Sequence, residues 1–211
     1  MKQYPISRDG WLYLAVLAVI TALAYLIWPW LAIVPGILFL FVLYFFRNPE
    51  RVVPEDDLVL VSPADGVVMD VERVYEEKFL HGESIRIRIF LSVFNVHVNR
   101  APLRGEVVYR DYRAGKMLPA FKSHASEINE KNYIGIQNEH VRVLVTQVTG
   151  FIARRIVCWV ETGDELGKGE RFGLIKFGSC TELFLPPDVE VTVNAGEKVR
   201  GGKSIVGRVN S

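Results

Sequence analysis

A run of 36 residues, Trp11 to Phe46, contains no Asp, Glu, Lys or Arg, and it restricts what the N-terminal part of this chain can fold into more than any other feature. As one straight helix it would extend about 54 Å, against a hydrocarbon core of about 30 Å. Trp28-Pro29-Trp30 divides it, because proline ends helices and tryptophan favours the membrane interface, leaving Trp11 to Trp28 and Trp30 to Phe46 as two apolar segments. The pattern predicts an α-helical membrane hairpin over residues 1–50. Lys2 and Arg8 precede it and Arg47 and Arg51 follow it, so the positive-inside bias puts both ends, and residues 51–211, on the cytoplasmic side of the cell membrane. A secretory signal peptide is the competing reading, with Trp11 to Ile20 as its apolar region and Ala22-Leu23-Ala24 as a cleavage pattern; it would leave the second segment as an anchor. Pro35-Gly36 interrupts that second segment, which keeps a shallow re-entrant pair open as well.

The rest of the chain has a different character. Arg47 to Asp57 is a polar, proline-bearing linker, and beyond it the sequence is strand-like almost throughout. Residues 84–91 (SIRIRIFL), 141–145 (VRVLV) and 189–193 (VEVTV) alternate with period two, as half-buried antiparallel strands do. Gly, Asn and Pro clusters punctuate them, and no long amphipathic helix appears. The expected fold is mainly β, a compact sandwich or barrel-sandwich over residues 51–211. Residues 195–209 place glycines around short apolar pairs in the manner of lipoyl and biotinyl carrier modules, and residues 62–71 resemble the opening strand of the same kind of barrel-sandwich, although no modifiable lysine is apparent between two strands.

Charge and ligand chemistry exclude several classes of function. With 25 basic against 24 acidic residues and a net charge of +1, no global field favours nucleic acid. Cys158 and Cys180 lie in or beside apolar runs, and four scattered histidines lack metal-ligand spacing, so no metal site is expected.

Four short motifs carry candidate chemistry. In Phe177-Gly178-Ser179-Cys180, glycine's conformational freedom at a strand end can hold the Ser179 hydroxyl against the preceding carbonyl, a geometry that permits backbone self-cleavage; an ordinary turn is the bland alternative. His97, in SVFNVHVNRAP, falls on the polar side of the alternation Phe94, Val96, Val98 against Asn95, His97, Asn99, and histidine is the usual general acid or base near neutrality. Asp65, in PADG, is a turn residue whose carboxylate could also orient a histidine. Arg154 and Arg155 offer either a solvated pair or a forked contact to phosphate.

Taken in order, PADG, NVHVNRAP, GFIARRI and FGSC, with SEINEKN at 126–132 and GERFGLIKFGS at 169–179, resemble the short branch of the phosphatidylserine decarboxylase family from about Arg47 onward. The resemblance implies a proenzyme that cuts itself between Gly178 and Ser179. The Ser179 hydroxyl attacks the Gly178 carbonyl, the ester undergoes β-elimination, and the former serine becomes a covalent pyruvoyl group. It implies a large chain, 1–178, paired with a small chain, 179–211; a homo-oligomer of that pair stays open. It further implies a membrane phospholipid as substrate, Arg154 or Arg155 meeting its phosphate, His97 returning a proton to carbon, and His97 with Asp65 activating Ser179. Arg100 stands where longer members carry a second histidine, and Cys180 follows the serine in place of Thr, Ser or Arg. A membrane-anchored, lipoyl-like carrier or adaptor is the alternative function; a hydrolase ranks below it, for want of a GxSxG elbow.

Overall fold

The computed structural model describes residues 4–115, 128–150, 155–176 and 179–210. The chain divides into two compact units, Met1–Glu50 and Arg51–Ser211.

The first unit is a helical hairpin. Helix α1, Trp11–Ile27, has apolar side chains on every side and none of its residues is buried. With the short 3-10 turn before it, it forms a 20-residue segment, Arg8–Ile27, long and apolar enough to cross a membrane. Trp28 is extended, Pro29–Ala32 forms a 3-10 turn, and α2, Ile33–Phe45, returns. Pro35-Gly36 does not interrupt this second helix. Pro35 sits in the first turn, where its missing N–H has no intrahelical acceptor to lose.

The two ends of the hairpin are tied together. Ser7 N donates to Phe46 O at 2.8 Å and Asn48 N to Pro5 O at 2.7 Å. A Cβ on Gly10 would lie 2.5 Å from Phe46 Cγ, so only glycine lets the chain pass there. Arg8 and Arg47 lie over the rings of Tyr4 and Tyr44 at 4.5 and 3.8 Å, which puts both cations at this end.

The second unit is built on antiparallel strands. Strands β1 (Val59–Val61), β2 (Gly66–Glu76), β3 (Gly82–Leu91), β4 (Val98–Arg100) and β5 (Gly105–Arg113) come first. Then follow β6 (Lys131–Gln137), β7 (Arg142–Thr149), β8 (Arg155–Cys158), β9 (Glu165–Leu166) and β10 (Arg171–Lys176). Strands β11 (Ser179–Leu185), β12 (Glu190–Val191), β13 (Lys198–Val199) and β14 (Ile205–Arg208) complete the unit. A curled eight-stranded sheet runs β13-β2-β3-β11-β7-β6-β5-β9, with three-stranded sheets β4-β10-β8 and β1-β14-β12 beside it.

The period-two pattern explains the large sheet. Ile87, Ile89 and Leu91 of β3 point into the core with Leu183, Leu185, Val143, Val145, Ile134 and Ile136. The intervening Arg86 and Arg88 point the other way and pair across the ladder with Glu72 and Asp70 of β2. The 84–91 and 141–145 segments are strands, as their alternation predicts, whereas only Glu190–Val191 of the 189–193 run pairs. Its neighbour Val189 closes a turn onto Pro186. The glycine-bearing segments 62–71 and 195–209 meet: Lys198 and Val199 pair with Val67 and Gly66.

Candidate functional site

Strands β10 and β11 follow one another in the chain yet belong to different sheets, so Lys176 ends in one sheet and Ser179 begins in the other. Ser179 is flanked by Leu91 at the end of β3 and Thr149 at the end of β7. Its side chain is fully buried, and its Oγ has no hydrogen-bond partner among the described residues. A hydroxyl stripped of water without replacement costs about 1–3 kcal/mol, a cost that Thr146 Oγ1 on β7 shares. Gly178, the other half of the expected cleavage bond, lies outside the described residues.

His97 differs from its sequence expectation. The run from Phe94 to Asn99 is not one strand: β3 ends at Leu91, and the Asn95 side chain accepts from Ser92 N at 2.9 Å and Ser92 Oγ at 2.8 Å to close a turn. That turn resets the alternation. Phe94 is exposed, whereas His97 is completely buried rather than on a solvated polar face. His97 Nδ1 lies 3.0 Å from Asn95 O; a carbonyl can only accept, so Nδ1 carries a proton. The main chain of His97 is fixed too, because Ile175 N donates to its carbonyl at 3.2 Å.

Asp65 stands between β1 and β2, and both carboxylate oxygens have partners. Arg51 Nη2 donates to Oδ2 and Gly201 N to Oδ1, each at 2.8 Å. The position that an aspartate would take beside His97 Nδ1 is held by the Asn95 carbonyl. The Asp65 loop nevertheless reaches the histidine's strand, since Pro63 O accepts from Arg100 N at 2.9 Å and from Asn99 Nδ2 at 3.3 Å. Arg100, at the position of the missing second histidine, is buried and donates to Gly169 O at 2.9 Å.

Arg155 is exposed at the start of β8, opposite Lys176 of β10; Arg154 and His124 lie outside the described residues. No cluster of potential metal ligands occurs among the described residues.

Both cysteines behave as small apolar side chains. Cys158 is partly buried, and Cys180 is buried with Val148. Burial pushes the Cys180 thiol far above its ordinary range, and Glu182 adds to the effect. We therefore expect iodoacetamide at about pH 8 to leave Cys180 unmodified in the folded protein and to label it after denaturation. Labelling at the rate of a free thiol before denaturation would contradict this.

A group of polar residues absent from the sequence expectations lies next to Ser179. Thr181, Gln147 and Asn132 are directly opposed on β11, β7 and β6, all buried, and Asn99 of β4 reaches Thr181 and Gln147. The signal was available. Each of the three strand residues shares the phase of core residues, Thr181 with Leu183, Gln147 with Val145 and Asn132 with Ile134, where an apolar side chain is the default.

A buried serine hydroxyl with no hydrogen-bond partner among the described residues fits an enzyme better than a carrier module or an adaptor. The comparisons with known proteins agree. A model of the phosphatidylserine decarboxylase family matches residues 38–207. The phosphatidylserine decarboxylase proenzyme of Carboxydothermus hydrogenoformans is 58% identical over 203 residues, covering 96% of this chain and 95% of the relative. The proenzyme of the same name from Symbiobacterium thermophilum is 48% identical over 212 residues, covering 99% and 98%. That of Geotalea uraniireducens is 44% identical over 208 residues, covering 98% and 97%. The chain belongs to the phosphatidylserine decarboxylase family and is a decarboxylase.

Proposed function

We propose that this chain is made as a proenzyme, cuts itself between Gly178 and Ser179, and then converts phosphatidylserine to phosphatidylethanolamine and carbon dioxide. The observation that carries the reading is the buried Ser179 hydroxyl, without a hydrogen-bond partner among the described residues, at the first residue of β11. The proenzyme names of the relatives support it.

In the cleavage, Ser179 Oγ adds to the Gly178 carbonyl carbon as its proton passes to His97 Nε2. The peptide C–N bond breaks, leaving an ester and a free amine on residue 179. Loss of the Cα proton then breaks the Cβ–O bond and frees the Gly178 carboxylate. Water hydrolyses the resulting unsaturated residue, releasing ammonia and leaving a pyruvoyl group. That group supplies an electrophilic carbonyl which condenses with the substrate amine and takes up the electrons that carbon dioxide leaves behind.

The remaining roles belong to side chains of this protein. His97 returns a proton to carbon, and the Asn95 carbonyl at Nδ1 keeps its exchangeable site at Nε2. Asp65 acts as a positioning group through Gly201 N and the loop that Pro63 stitches to β4; a direct bond to His97 in the uncut chain requires it to turn away from Arg51. Arg155, with Arg154, supplies positive charge for the lipid phosphate. The hairpin attaches the enzyme to the membrane in which its substrate lies, with both ends on the cytoplasmic side, where Arg8 and Arg47 stack on tyrosines.

The test is the mass of the purified protein under denaturing conditions, with and without borohydride in ammonia. Two chains dividing at Gly178/Ser179, the smaller one blocked at its N-terminus and gaining mass as a reduced carbonyl, are expected. A single chain of full mass lacking a reactive carbonyl overturns the reading.

A further inference from the structure

The strand that begins with Ser179 lies on a graded floor. On the inner face of the large sheet, one cross-strand row is Ile87, Leu183, Val145 and Ile134, wholly apolar. The next row toward Ser179 is Ile89, Thr181, Gln147 and Asn132, and beyond it stand Leu91, Ser179 and Thr149. The middle row thus separates the hydrocarbon core from the serine.

Four side chains hold that row together, all 0 or 1% exposed. Asn132 Nδ2 donates to Gln147 Oε1 at 2.8 Å, and Gln147 Nε2 to Asn99 Oδ1 at 2.9 Å. Asn99 Nδ2 then donates to Thr181 Oγ1 at 2.9 Å and to Pro63 O at 3.3 Å. The direction of this relay is fixed by its end. Pro63 O can only accept, so Asn99 must present its NH2 there and its carbonyl to Gln147, which in turn must present its own carbonyl to Asn132. Room for the Gln147 amide comes from Gly173 of β10, where a Cβ would lie 2.9 Å from Nε2.

Such a network is costly unless every member is satisfied, and apolar side chains would serve a core equally well. Its placement ties it to the chemistry. Asn99 follows His97 by two residues and Thr181 follows Ser179 by two, so one side-chain hydrogen bond joins the strand leading from the histidine to the strand leading from the serine. Building on the proposed self-cleavage, we infer that Asn99 and Thr181 are positioning residues: the relay Asn132–Gln147–Asn99–Thr181 sets where the first residue of β11 stands relative to His97, before the cut and after it. Neither touches the reacting atoms. Their effect falls on alignment, where displacement of a reacting group by about 1 Å is worth roughly a hundredfold in rate.

The experiment compares Thr181→Val, which keeps shape and loses the acceptor, with Thr181→Ser, which keeps it. Self-cleavage is followed from the moment of synthesis by the appearance of the small chain, and decarboxylation is measured on the fraction already cut. Thr181→Val is expected to slow cleavage by about tenfold to a hundredfold and to lower kcat with KM unchanged, at temperatures well below its thermal midpoint, where the protein stays folded. Thr181→Ser restores both rates, Asn99→Ala reproduces the Thr181→Val defect, and the double variant is no slower than either single one. Wild-type rates in Thr181→Val overturn the inference. So does a loss that Thr181→Ser shares and that follows the thermal midpoint, for it would mean only a weakened core. An uncut wild-type chain defeats the proposed function itself, whereas a cut wild type with an indifferent Thr181→Val defeats this inference alone.

Discussion

Ser179→Ala is expected to give one chain of full mass, with no small fragment, no reactive carbonyl and no decarboxylase activity above background. The substitution removes a single oxygen from a fully buried site at which that oxygen has no hydrogen-bond partner among the described residues. Folding loses nothing by it. Relieving an unsatisfied buried hydroxyl contributes stability, by an amount on the order of 1 kcal/mol, so the thermal midpoint should hold or rise while function disappears. Opposite movement of stability and activity is the mark of a group kept for chemistry at the expense of the fold. In the proposed mechanism the same residue is nucleophile in the cut and precursor of the pyruvoyl group, so no partial activity should survive. A Ser179→Ala protein that still separates into two chains at this bond would remove Ser179 from the mechanism, and the buried Cys180 thiol is a poor substitute for it.

His97→Gln carries the second largest effect and separates two stages. Glutamine retains a side-chain donor that can reach the Asn95 carbonyl, yet it has no nitrogen that takes up and returns a proton near neutrality. Cleavage should slow by roughly 10²- to 10⁴-fold, the usual contribution of a positioned acid or base. In the fraction that cuts on long incubation, decarboxylation should fall by a similar factor, since the proposed mechanism assigns both steps to His97, and Arg100 is engaged with Gly169. Normal turnover in the cut fraction would confine His97 to maturation and require another proton donor. Normal cleavage would confine it to turnover.

The hairpin and the β unit were legible because each rests on composition over many residues. An uncharged run interrupted by Trp28-Pro29-Trp30 leaves few folds open, and the Arg86/Arg88 alternation with Ile87/Ile89 fixes a face without any knowledge of partners. Local conformation was harder. The alternation from Phe94 to Asn99 reads as one strand, and only the Asn95 side chain, folded back onto Ser92, breaks the phase and turns His97 inward. Pro35 looks disruptive until the helix start is known to lie just before it. Within the candidate site, Ser179 stands out in the sequence through its motif, whereas Asn99, Gln147 and Asn132 do not, because amides in strands are individually unremarkable and gain meaning only when register sets them side by side. The Asp65 carboxylate illustrates the same limit: its partner Gly201 N lies 136 positions along the chain.

Strand β11 runs between β3 and β7, and the segment that starts with it also supplies β12, β13 and β14, which complete the edges at β1 and β2. Under the proposed cleavage ahead of Ser179, that segment becomes a separate molecule embedded at the middle of its neighbour. Intact, the protein folds as a unimolecular process; severed and unfolded, it must find its missing middle by collision, with a yield that falls on dilution. Maturation is then a ratchet. On that proposal the sheet must be assembled before the chemistry that arms it, and a protein denatured after the cut should regain activity far less readily than one denatured before it.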